Sequence, residues 1–188
     1  SNKLVTNGEW IEFIDDNGYN EAPLWLMDGF TICQNEKWIA PLYWWKESNE
    51  WFQYTLNGPI KLDLNAPVSH ISFYEADAFA KWKKKRLPTE FEWEVSSSKN
   101  ISGNFLEKEK FVPTSTNTNE NISQMWGDVW EWTSSSFLPY PGFKTTEGSL
   151  GEYNGKFMSN QIVLKGGSCV TPEDQLRKSY RNFFYPHQ

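Results

Sequence analysis

The chain has 188 residues and a net charge of -6, from 18 Lys+Arg against 24 Asp+Glu. It is long enough for one domain with a real core, and too acidic for general affinity for nucleic acid or anionic membrane. Only 38% of it is hydrophobic, yet 17% is aromatic with eleven Trp, so flat rings rather than Leu and Val must supply the buried area. Two cysteines, Cys33 and Cys169, are too few for a disulfide framework, which points to a reducing, cytoplasmic setting. No apolar run has the length of a membrane span, and no signal-peptide pattern is read at the start.

Taken in chain order, Thr6 and Glu9 have capping-box spacing, and Trp10, Phe13 and Ile14 follow at helical intervals before Asn17-Gly18. This predicts a short helix over roughly 7–16. Residues 22–58 are dense in Trp and Tyr, with Pro23, Asp28-Gly29, Pro41 and Asn57-Gly58 as breaks. Strand alternation over 51–56 that ends at Asn57-Gly58 predicts a hairpin. Ser72 and Glu75 form a second capping box, with Phe73, Ala76, Phe79 and Ala80 along one face. The cationic run from Lys83 to Arg86 reads as the solvated end of that helix, where positive charge suits the dipole. After Leu87-Pro88, Thr89 and Glu92 cap a third helix carrying Phe91, Trp93 and Val95. Residues 96–124 turn polar and read as a surface excursion. Beyond 125, turn signals separate short strand-like pieces such as 161–164. The class is α+β, with few regular elements and long ordered loops.

The C-terminal third holds words that mix Gly and Pro with aromatics and a few polar groups: 127–133 (GDVWEWT), 139–143 (PYPGF), 151–158 (GEYNGKFM), 166–172 (GGSCVTP) and 180–186 (YRNFFYP). Rigid turns that hold aromatic walls are how a loop-built pocket is written. In 128–132 alternation puts Asp128, Trp130 and Trp132 on one side and Val129, Glu131 and Thr133 on the other, so Glu131 needs a polar partner.

Residues 67–82 and 85–94, with 127–133 and 165–168, resemble the formylglycine-generating-enzyme (sulfatase-modifying factor) superfamily. Residues 5–9, 25–29, 40–44, 139–143, 151–158 and 180–186 are similar to one branch of it, the iron(II)-dependent sulfoxide synthases of ergothioneine and ovothiol biosynthesis. The likeness covers nearly all of the chain outside 96–124. It implies a C-type-lectin-like fold and a single domain, 1–188, cut at both ends, because family members begin with a strand before Val5 and continue with one past Gln188. It also implies a two-domain enzyme, in which a DinB-like helical bundle supplies a three-histidine iron site and this domain builds the substrate pocket. There a cysteine-type thiol is joined to the imidazole of histidine or its betaine, with dioxygen.

The resemblance marks Tyr153 as the candidate catalytic phenol, and Arg181, Asn182, Phe183, Phe184 and His187 as the substrate-binding segment. An amide suits an amino-acid carboxylate or ammonium, and an aromatic face suits a trimethylammonium. It marks Gly127, Val129 and Glu131 as a calcium site, whose oxygen donors suit a hard cation. Alternatives stand beside these readings: a packing tyrosine at 153, a buried aromatic strand at 182–184, and Glu131 accepting backbone N–H bonds. His70 and His187, far apart in sequence, do not make an iron site, so iron is expected from a segment outside this chain. His70 reads as satisfying local backbone groups. Cys169 follows Ser168 with no second cysteine downstream, against formylglycine-generating oxidase chemistry, and reads as a buried packing residue. The rival to the enzyme-domain reading is a lectin-like module that binds a small ligand without catalysis.

Overall fold

In the computed structural model residues 1–97, 100–116, 122–152 and 155–188 are described. Three helices start where the sequence predicts. α1 (Asn7–Asp15), α3 (Phe73–Trp82) and α4 (Glu90–Ser96) each open on a complete capping box, made by Thr6 with Glu9, Ser72 with Glu75, and Thr89 with Glu92. Each box satisfies two of the backbone N–H groups that a helix start leaves open. A fourth helix, α2 (Met27–Asn35), was not predicted. Its N-cap is Leu26, which offers no side-chain acceptor, and Asp28-Gly29 reads as a turn. The glycine is there for packing: a Cβ at Gly29 would lie 2.5 Å from the Tyr74 ring of α3.

Among the described residues two small antiparallel sheets accompany the helices. β1 (Trp44–Glu47), β2 (Glu50–Thr55) and β3 (Gly58–Lys61) form a meander in that order, with the predicted turn at Asn57-Gly58 between the last two. β4 (Glu131–Ser136), β5 (Ile162–Lys165) and β6 (Asn182–Phe184) form the second sheet, also in chain order. Helices and small antiparallel sheets with long connections give the α+β class.

The main core joins α1 and α3 to the second sheet through Trp10, Phe13, Phe79, Trp132 and Leu164. Rings do much of the filling: Trp10 stacks on Phe79 at 4.8 Å, and Phe13 meets Phe79 edge-on at 5.7 Å. A second cluster gathers Trp93, Phe105, Trp126 and Leu176. It corrects two expectations. The polar stretch 96–124 is not all surface, since Phe105 and Asn104 are buried; residues 98, 99 and 117–121 lie outside the described ones. Of the three apolar residues predicted on α4 only Trp93 is buried, while Phe91 and Val95 face solvent. Among the described residues no helix is long and apolar enough to cross a membrane.

Candidate functional site

A cavity of about 1430 Å³ runs between the first sheet, α3 and one face of the second sheet. Trp132 and Phe184 line it from the second sheet, Trp130 from the turn before β4 and Tyr54 from the first sheet, with His70 and Gln188 among the polar groups. The Phe184 ring meets Trp132 edge-on at 6.4 Å and is 41% exposed, so it presents an aromatic surface rather than a filled core position. Trp132 is fixed from behind, because its indole N–H donates to the Ile71 carbonyl at 2.9 Å. An apolar, aromatic hollow with a few polar groups is the ordinary form of a small-ligand site.

The pleat of β6 divides the sequence-predicted binding segment. Side chains on a strand point alternately to opposite faces, so consecutive residues cannot share one pocket. Phe184 lines the cavity, and Asn182 shares its side of the strand, opposite the cavity-lining Leu164, without itself reaching the lining. Asn182 Oδ1 accepts the Phe183 N–H at 3.0 Å along the outer edge of the strand. Phe183 faces the other way and stacks on Phe137 at 4.1 Å. Arg181 also faces away from the cavity and is used internally. Its guanidinium carbon sits 4.6 Å from the Phe137 ring and 4.4 Å from the Tyr140 ring. Nη1 donates to the Leu138 carbonyl at 2.9 Å, and the guanidinium pairs with Glu90 at 2.8 Å. An arginine so committed is not a free substrate contact. His187 is exposed and stacks on Tyr185 at 5.9 Å, apart from the cavity-lining residues. Tyr153 lies outside the described residues.

The turn that feeds β4 is built by glycines and buried acids. Gly127 has φ +75, and a Cβ there would lie 2.5 Å from the Asn104 carbonyl oxygen, so only glycine fits. Asp128 is buried and accepts from Asn104 Nδ2 at 2.8 Å, Thr114 N at 2.8 Å and Gln124 Nε2 at 3.1 Å. Glu131 does find a partner, but it is an indole rather than the backbone: Trp93 Nε1 donates to its Oε1 at 3.0 Å. Burial pushes the Glu131 carboxyl up to about 8, and the Trp93 bond opposes that rise. Next to it, Lys165 is fully buried, with Nζ 2.7 Å from both Glu94 Oε1 and the Lys178 carbonyl. Burial lowers its pKa and the Glu94 pairing opposes this. Sequence reasoning missed Glu90, Asp128 and Lys165 as organising residues, since the partners that close around each come from other segments of the chain.

The two histidines do not meet. His70 has φ +59, packs edge-on against Tyr43 at 5.0 Å, and gives its backbone carbonyl to Leu42 N at 3.1 Å. The backbone, not the imidazole, makes that local bond. Among the described residues no group of three or more His, Cys, Asp or Glu converges as a metal site. The donor set present therefore does not fit a histidine-ligated iron. Cys169 is buried and lines the cavity, and burial, with the Asp128 charge added, pushes its thiol up to about 11.

The class is an α+β domain that presents an aromatic-walled cavity beside a glycine-shaped, acid-bearing turn. The chain belongs to the sulfatase-modifying factor enzyme 1-like domain family, whose model matches residues 1–123 and 115–188. It is 32% identical to hercynine oxygenase of Mycolicibacterium smegmatis, over 97% of this chain and 48% of that protein. It is 33% identical to hercynine oxygenase of Mycobacterium tuberculosis, over 98% of this chain and 48% of that protein. Inactive C-alpha-formylglycine-generating enzyme 2 of Mus musculus is 27% identical, over 72% of this chain and 57% of that protein. The chain thus spans about half the length of the hercynine oxygenases it matches.

Proposed function

We propose that the chain supplies the substrate wall of an iron-dependent sulfoxide synthase of the ergothioneine or ovothiol type. It would bind histidine or its trimethylated betaine beside a cysteine-type thiol, with a C-type-lectin-like arrangement of its loops. The observation that carries this reading is the cavity walled by Trp130, Trp132 and Phe184, in a chain that hercynine oxygenases match over 97% and 98% of its length. Aromatic faces attract a trimethylammonium without needing a buried carboxylate, by about 0.5–2 kcal/mol per ring. In this reading Asn182 on the same face orients the amino-acid end, and the Tyr153 phenol serves proton transfer. Iron, when bound, supplies the oxygen chemistry. Its ligands belong to a helical, DinB-like segment in cis or trans.

Residues 1–188, incubated with iron(II), cysteine and histidine or its betaine under air, should give no sulfoxide by mass spectrometry. The protein joined to its helical partner should give it. Sulfoxide from residues 1–188 alone would overturn the assignment of the iron ligands. No product from the joined protein would overturn the reaction.

A second reading has its own support in the likeness to an inactive formylglycine-generating homologue: a module that holds a small amino acid without turnover. Binding of the betaine by calorimetry, with no product in the joined protein, would favour it. Calcium fits the chemistry of the turn, where the Gly127 and Val129 carbonyls and the Glu131 carboxylate offer hard oxygen donors. It should raise the melting temperature of the wild type and leave Glu131→Gln unmoved. An equal response of both would remove Glu131 from the site.

A further inference from the structure

We propose that Glu90 and Arg181 are a positioning pair that sets Asn182 and Phe184 on the cavity side of β6 by holding that strand from its opposite face. The inference rests on the reading of β6 as a substrate wall.

β6 has three residues and, among the described residues, pairs only with β5. So short a ladder at a sheet edge does little to fix its own height and twist. Its back face is held instead. Arg181, immediately before the strand, lies between the Phe137 and Tyr140 rings and donates to the Leu138 carbonyl, which ties β6 to residues 137–140. Arg181 Nη2 also donates to Glu90 Oε1 at 3.1 Å, which ties the strand to the first turn of α4. Glu90 is held in turn: its backbone N–H donates to Ser135 Oγ at 3.0 Å, and Tyr140 Oη donates to its Oε2 at 3.3 Å. The pair is buried, with side chains 10% and 4% exposed. One planar cation therefore joins α4, the end of β4 and β6. Lysine could keep the charge but not the fork and the two stacked faces. The alternation of the strand transmits this anchor to the front: a rotation or shift at Arg181 and Phe183 moves Asn182 and Phe184 with it.

The test uses the protein expressed from its whole gene with 4-fluorophenylalanine at position 184, read by fluorine NMR without ligand. Arg181→Ala and Glu90→Gln should each move or broaden the Phe184 resonance. Tens of millimolar guanidinium should return the Arg181→Ala signal towards wild type, whereas urea at the same concentration should not. Affinity for the histidine betaine should fall about tenfold or more in both variants, because both shift the aromatic wall from its place. Glu90→Gln keeps the side-chain volume and carries the test if Arg181→Ala does not fold. An unmoved Phe184 signal in a folded variant, or loss of stability with no guanidinium recovery, would overturn the inference. If the wild type binds neither histidine nor its betaine, the substrate reading fails, and the fluorine signal still decides the positioning one.

Discussion

Tyr19 Oη donates to Glu75 Oε1 across 2.7 Å in the middle of the main core. The phenol oxygen also accepts from Trp10 Nε1 at 3.2 Å, and Glu75 Oε2 caps α3 by accepting the Ser72 N–H at 2.7 Å. A polar chain thus runs from α1 through the 16–20 turn to the start of α3, inside a cluster otherwise made of rings. Tyr19→Phe removes the middle atom of the chain with almost no change in volume. It leaves a buried carboxylate oxygen without its donor and an indole N–H without its acceptor. The expected loss is about 1–3 kcal/mol in urea unfolding, with an unchanged far-UV spectrum. A neutral result would mean that water replaces the phenol.

The same carboxyl makes stability depend on pH with a definite sign. Burial raises the Glu75 pKa above its ordinary 4.5, against the lowering effect of the Ser72 and Tyr19 hydrogen bonds. The folded state therefore holds this proton more tightly than the unfolded chain does. The contribution is complete below the unfolded value and is lost as pH rises through the folded one. Unfolding free energies measured from pH 4 upwards should fall more steeply for the wild type than for Glu75→Gln. A difference that stays constant, or grows with pH, would mean that the hydrogen bonds dominate over burial.

Asp128 is the hinge between the β4 turn and the segment before it. Three donors from residues 104, 114 and 124 converge on its carboxylate, and its backbone lies in the left-handed region at φ +53. Asp128→Ala strands the donors and puts a Cβ-bearing residue with no local hydrogen bond into that conformation. The expected cost is about 3–5 kcal/mol, with faster tryptic cleavage at Lys108 and Lys110. Asp128→Asn keeps the backbone preference and one acceptor, and should cost less than half as much. Equal losses would assign the effect to charge alone.

Much of this architecture is written locally. Three capping boxes name three helix starts, and Asn57-Gly58 names a hairpin, because each signal acts within four residues. α2 escapes notice because its reason lies elsewhere in the chain: Gly29 is needed under Tyr74, not in a turn. The candidate segment at 181–184 is legible as a segment but not as a surface. Only the register of β6 against β5, set by Leu164 opposite Asn182 and Ile162 opposite Phe184, decides that Phe184 rather than Phe183 faces the cavity. Glu90 and Lys165 look like solvent-facing charges until partners tens of residues away, Arg181 and Glu94, close around them. Long-range pairing of this kind leaves no mark at short spacing.

Both cysteines should be inert in the folded protein. Burial pushes the Cys33 and Cys169 thiols up to about 11, and thiolate is the reactive form, so at pH 7 only about one thiol in ten thousand is poised to react. Their surroundings agree: Cys33 sits in the main core with its Sγ 3.6 Å from the Tyr19 carbonyl, whereas Cys169 lines the cavity and has its backbone N–H on the Asp128 carbonyl at 3.0 Å. Chemistry that needs two thiolates on one soft metal has no such pair here, since Cys33 is not among the cavity-lining residues. Iodoacetamide at neutral pH should label neither residue within an hour, and both once urea has unfolded the chain. Cys169→Ser should keep whatever ligand binding the wild type shows, within about threefold. Rapid labelling of Cys169 in the native protein, with Cys33 protected, would instead mark a reactive thiol facing the cavity.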